Sequence, residues 1–126
     1  MCPFCQPEAQ TKALLESKHN LYIASWDKVL LGSGMIITKQ HRETLFDVTE
    51  EEFVDSYHLL HEVKKMLDEQ LHPDGYNVGW NCYPVGGQTV AHVHMHIIPR
   101  YQDEPMAGKG IRHHLKQIEN TRTSIR

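Results

Sequence analysis

No run of apolar residues in this chain approaches the ~20 that a membrane-spanning helix requires, so a membrane partner is not expected. Excess positive charge is missing too. Thirteen Lys and Arg stand against sixteen Asp and Glu, a formal net charge of −3, which argues against a nucleic-acid binder. Cysteine is scarce: Cys2, Cys5 and Cys82 form an odd set, which argues against a disulfide framework. There is no internal repeat and no low-complexity segment. The opening, Met1 to Gln10, is polar and broken by Pro3 and Pro7, unlike an export signal, so a cytoplasmic location is expected. What remains is 126 residues, 40% hydrophobic and 23% charged. That composition suits one domain over residues 1–126 with a real core, its last part from about residue 102 being a basic tail.

Local patterns divide the chain into elements. Ala9 to Lys18 is compatible with a short helix. Leu21 to Trp26 and Val29 to Thr38 are rich in Ile, Leu and Val and read as strands, with a turn at Trp26-Asp27-Lys28. Gly32 and Gly34 mark a bulge or a close backbone approach in the second. Thr49 followed by Glu52 fits a capping box, and Glu50 to Glu52 suit the positive end of a helix dipole. Phe53, Tyr57, Leu60, Val63 and Leu67 then recur at helical spacing as an expected buried stripe, ending near Leu71 before Pro73-Asp74-Gly75. Tyr76 to Cys82 reads as a strand. The tail carries Lys109, Arg112, Lys116, Arg122 and Arg126, with a short helix around Arg112 to Asn120. Strands, one long helix and further strands make an α+β fold, an antiparallel sheet with the helix packed on one face.

The most informative stretch is His92-Val93-His94-Met95-His96-Ile97-Ile98. On a strand the three imidazoles line one surface, about 7 Å apart, while Val93, Met95 and Ile97 enter a core. Imidazole can ligate a metal, transfer protons or attack an electrophile. Gly86-Gly87-Gln88-Thr89 precedes the row. Its glycines allow close backbone approach, and its N–H groups suit anionic oxygens. Phosphate beside imidazole is the economical reading. Asn81 ends the preceding strand, where an amide could orient an imidazole or a phosphate. At the other end, Cys2-Pro3-Phe4-Cys5 reads as half a zinc site or as a redox pair, and its place at the start of the chain favours zinc.

The row, its Gly87-Gln88-Thr89 approach and the following Pro99-Arg100 resemble the histidine triad family, over roughly Cys2 to Tyr101. The resemblance implies a nucleotide hydrolase or transferase acting at the α-phosphate of nucleoside monophosphate derivatives, phosphoramidates or dinucleoside polyphosphates. His94 would be the nucleophile and would form a nucleotidyl-imidazole. His96 would contact the phosphate and help protonate the leaving group. Asn81, Gly87, Gln88 and Thr89 would bind phosphate or leaving group, and Asp27 matches a ribose-binding position. The resemblance also implies structural zinc on Cys2, Cys5, His41 and His92, no organic cofactor, a small-molecule nucleotide as partner, and a homodimer. One departure stands out. Where many members carry a Gly-His pair, this chain has Gly32-Ser33.

Two other classes stay open on the residues alone. In one, His92, His94 and His96 ligate a catalytic metal, although alternate residues spanning about 13 Å converge on one ion with difficulty. In the other, the protein binds nucleotides or acts as a scaffold without turnover.

Overall fold

The computed structural model describes residues 2–25 and 27–125; Met1, Trp26 and Arg126 lie outside the described residues. After a single 3-10 turn at Pro3–Cys5 come α1 (Pro7–Thr11), β1 (Leu15–Glu16), β2 (Asn20–Ala24) and β3 (Gly34–Thr38). They are followed by α2 (Glu50–Leu71), β4 (Gly75–Trp80), β5 (His94–Arg100) and α3 (Ile111–Leu115). The five strands form one sheet in the order β1-β2-β3-β5-β4, and every neighbouring pair is antiparallel. The architecture is α+β, as the order of elements implies. Among the described residues no helix is long and apolar enough to cross a membrane.

Strand alternation sorts the side chains onto two faces. Tyr22, Ile36, Met95 and Ile97 point toward α2 and meet Leu59, Val63 and Leu67 in the main core. Leu21 and Ile37 point the other way. With Ala9, Phe4, Ala13, Ile23 and Met35 they form a second cluster, in which the N-terminal segment covers part of the opposite face. That face also carries the histidines. Register places Met35 opposite His96 and Ile37 opposite His94.

Three expectations change. Pro7 at the first helical position starts α1 two residues earlier than expected, and the helix closes at Thr11. Leu15 and Glu16, expected within that helix, instead pair with β2 as the short strand β1. The expected strand from Val29 begins only at Gly34. Asp27 Oδ1 accepts the N–H groups of Val29 (2.7 Å) and Leu30 (2.9 Å), holding that stretch in a turn. Gly32 then takes φ +82°, where a Cβ would also strike Leu71 at 2.4 Å.

On α2 the Thr49–Glu52 capping box forms, and His72, in the left-handed conformation, closes the helix. Its inward face, however, runs Glu52, Ser56, Leu59, Val63, Leu67. Phe53 and Tyr57 are about half exposed, and Phe53 stacks on Trp80 with ring centroids 6.0 Å apart. A polar interlock turns the helix this way. Buried Asn20 donates to Glu52 O (3.1 Å) and to the Asp55 carboxylate (2.8 Å). Arg42 donates to the buried Glu52 carboxylate at 3.0 Å.

Candidate active site and metal centre

Each site residue is delivered by an identifiable element. The sheet brings the end of β3 beside the start of β5, and the Val93 N–H donates to Arg42 O at 2.7 Å to lock that junction. His92 therefore lies just ahead of the strand, with His94 and His96 on it. The rings do not gather on one point.

His94 is 5% exposed, and its Nδ1 lies 2.8 Å from the carbonyl oxygen of His92. A carbonyl only accepts, so Nδ1 carries the proton and Nε2 keeps the lone pair. That is the nucleophilic form of imidazole. The ring meets Phe4 edge-on at 5.4 Å and His96 edge-on at 4.8 Å. Burial, and then the proximity of His94, push the His96 pKa down. On the other flank Gly79 pairs with His96. Among the described residues nothing lies within 4 Å of a Cβ built at Gly79, so the sheet is open there.

His92 has the opposite arrangement. Its Nε2 donates to Thr38 O at 2.8 Å, which makes Nδ1 the lone-pair nitrogen. That nitrogen faces Cys2 Sγ (3.3 Å), Cys5 Sγ (3.4 Å) and His41 Nδ1 (3.2 Å). Cys5 Sγ and His41 Nδ1 are 3.1 Å apart. All four donor atoms lie within 4.8 Å of one another, the one group of this kind among the described residues. Tetrahedral zinc with bonds of 2.0–2.3 Å places its ligand atoms about 3.3–3.8 Å apart, so two thiols and two imidazoles fit such an ion. Burial lowers the His92 pKa, the direction that favours the neutral form a ligand takes. The turn at Pro3–Cys5 folds Cys5 N–H back onto Cys2 O (3.2 Å) and aims both thiols the same way. The carbonyl of Thr38 orients the His92 ring from behind.

The loop before the row is braced from within. Gln88 Oε1 accepts the Tyr83 N–H (2.8 Å), while Nε2 donates to Glu43 O (2.6 Å) and Val90 O (2.9 Å). The amide read as a phosphate contact thus spends its hydrogen bonds on the loop backbone. Gly87 takes φ +99°, and its carbonyl accepts weakly from Asn81 Nδ2 at 3.5 Å. Asn81 directly follows β4, at the position that continuing the register would set opposite His94. Thr89 is exposed. Asp27 caps its own turn, and the N–H groups of Leu30 and Val29 lower its pKa. Ser33 is buried, with its backbone bonded to Ser25 and Leu30.

Two residues escape a reading of motifs: Phe4, the apolar residue between the cysteines, and Thr38, whose carbonyl sets the His92 tautomer. The only available signal for Phe4 was its place inside the C-x-x-C pair.

A family model described as the HIT domain matches residues 6–103. The chain is similar to an uncharacterised HIT-like protein of Methanocaldococcus jannaschii, 33% identical over 109 residues and 82% of each chain. It is similar to the adenosine 5'-monophosphoramidase of Saccharomyces cerevisiae, 29% identical over 106 residues, 82% of this chain and 65% of that one. It also resembles the bis(5'-adenosyl)-triphosphatase of Dictyostelium discoideum, 29% identical over 91 residues, 72% of this chain and 61% of that one. The crystal structure of a HIT family member from Bacillus subtilis, 30% identical, has a TM-score of 0.73 and covers 81% of this chain and 74% of its own. A sheet that presents alternate histidines along β5, joined to this family match, defines the class: the chain belongs to the HIT family.

Proposed function

We propose that the protein is a nucleotide hydrolase or transferase acting at the α-phosphate of nucleoside monophosphate derivatives, through a nucleotidyl intermediate on His94. The observation that carries this reading is the His94 Nδ1–H bond to His92 O, which leaves Nε2 as the attacking nitrogen. Nε2 attacks the α-phosphorus in line. The bond from phosphorus to the leaving nitrogen or oxygen breaks as the N–P bond forms, and His96 assists proton delivery to the leaving atom. Water then attacks phosphorus, the N–P bond breaks back to His94, and the nucleoside monophosphate departs. One water is consumed per bond cleaved.

Asn81 and the backbone of Gly87 and Thr89 are assigned to the phosphate oxygens, with Gln88 holding that loop in shape. Asp27 is assigned to the ribose through Oδ2. Cys2, Cys5, His41 and His92 are assigned to zinc, which supplies a fixed charge that holds those four donors together. The protein is assigned to the cytoplasm as a homodimer.

The test uses adenosine phosphoramidate and diadenosine triphosphate, scored by AMP release, with phosphorus-31 detection of a nucleotidyl-histidine. His94→Ala should lower turnover by at least about a thousandfold while AMP still binds. One observation favours a non-catalytic binder: Ser33 stands where many triad proteins carry a supporting histidine. Under that reading the wild type binds AMP and releases none from either substrate.

A further inference from the structure

Beside the braced loop stand two aromatic rings that the site described above does not use. Phe46 is 74% exposed and Tyr83 is 57% exposed. Their planes lie within 14° of parallel, with centroids 6.5 Å apart. Paired rings at a surface, unlike a single exposed apolar residue, mark a place where a ligand can bind, and Val85, two residues beyond Tyr83, is fully exposed.

The pair is held in place by the loop that precedes the histidines. Tyr83 sits at φ +68°, ψ 156°, a conformation that glycine adopts easily and a tyrosine does not. Its N–H donates to Gln88 Oε1, and the other end of the same amide holds Glu43 O, at the foot of the segment bearing Phe46. The Thr44 and Asp47 side chains complete that segment as a capping box on the Leu45–Asp47 turn. One glutamine therefore ties both ring-bearing segments to the loop. Tyr83 also lies two residues beyond Asn81, whose amide packs 3.5 Å from the Cβ position of Gly87. The loop that bears Tyr83 is thus the loop that carries the residues assigned to the phosphate.

We propose that Phe46 and Tyr83 form a subsite for a planar heteroaromatic group on the leaving-group side of the substrate, such as the second base of a dinucleoside polyphosphate. The proposal rests on the reading of the loop as the phosphate site and extends it to leaving-group choice. Stacking suits such a group, because every base has a π-face and a sequence-tolerant platform needs no directional hydrogen bonds.

The probe is the bis-methylene analogue of diadenosine triphosphate, in which carbon replaces both bridging oxygens and no cleavage occurs. Calorimetry compares its affinity with that of AMP for the wild type, Phe46→Ala, Tyr83→Gly and Tyr83→Phe. Tyr83→Gly removes the ring while suiting the backbone conformation; Tyr83→Phe keeps the ring. Phe46→Ala and Tyr83→Gly should each weaken the dinucleotide about tenfold and leave AMP within about twofold, while Tyr83→Phe binds like the wild type. Equal affinities across the series overturn the subsite. So does a change in oligomeric state without a change in dinucleotide binding, which would make the rings a protein interface. Hydrolysis of adenosine phosphoramidate by the same proteins is scored separately. Ring-dependent binding without turnover sustains the subsite and defeats the catalytic reading; turnover with ring-independent binding does the reverse. Failure of both ligands to bind defeats both.

Discussion

Two imidazoles two residues apart carry opposite proton patterns because each meets a different backbone carbonyl. The His92 ring gives its Nε2 proton to Thr38, and the His94 ring gives its Nδ1 proton to His92. The spacing of the histidines was plain in the sequence; these partners were not, because Thr38 is 54 residues away from His92. Gln88 teaches the same lesson. Its type and place beside the glycines were legible, but three backbone groups decide where its amide points. Gln88→Glu retains an acceptor for the Tyr83 N–H and loses both donors to carbonyls, so it should cost about 1–3 kcal/mol and raise KM more than it lowers kcat. Unchanged urea unfolding would remove the amide from the brace. Gly34 gives a sharper case. A Cβ there would lie 2.3 Å from the Tyr22 hydroxyl and 2.6–2.7 Å from its ring, and Tyr22 is only 1% exposed. Gly34→Ala should therefore destabilise by about 1–3 kcal/mol, read as a lower urea midpoint.

At the scale of the element, α2 shows which helix features are local. Its start was legible because the capping box needs only Thr49 and Glu52, and its end because Pro73-Asp74-Gly75 cannot continue it. Thr49→Ala should cost about 1 kcal/mol in thermal unfolding. Its rotation was not legible. An apolar stripe through Phe53 and Tyr57 is as good a pattern as the one used, and Asn20 on β2 selects between them by binding Glu52 and Asp55. Asp55 makes this pairing pH-sensitive. Burial pushes its pKa up, but hydrogen bonds from Ser17, Asn20 and the His19 N–H outweigh that and hold it below the ordinary value. A depressed folded pKa means a contribution present in full above the unfolded value near 4 and lost as pH falls through the folded one. Urea midpoints should fall as pH drops below about 4, and the drop should be shallower in Asp55→Asn. An identical drop in the variant would place the acid sensitivity in other carboxylates.

Across the whole molecule the N-terminal segment covers part of the histidine face. Phe4, Ala9 and Ala13 lie on Leu21 and Ile37, and Cys2 and Cys5 gather with His41, just after β3, and His92, just before β5. Removing a metal from that junction should free the segment and with it the Phe4 edge against His94. We expect chelation, or Cys2→Ser, to abolish zinc uptake and to lower Tm by about 10 °C or more. Equal metal content in wild type and Cys2→Ser would reject the assignment of zinc.

The sequence alone determined the alternation that sets three imidazoles on one face against an apolar core, the capped long helix, and the supply of thiols and imidazoles for a metal. These follow from periods of two and 3.6 residues and from side-chain chemistry, which neighbours along the chain specify. Only the tertiary structure decided which ring nitrogen of His94 keeps its lone pair, that the Thr38 carbonyl turns His92 Nδ1 toward the cysteines, that Val29 to Leu31 stay outside the sheet, and which face α2 buries. Each of those depends on a carbonyl, a carboxylate or a ring brought from a distant segment, and hydrogen-bond geometry at such a meeting is set by the packed fold.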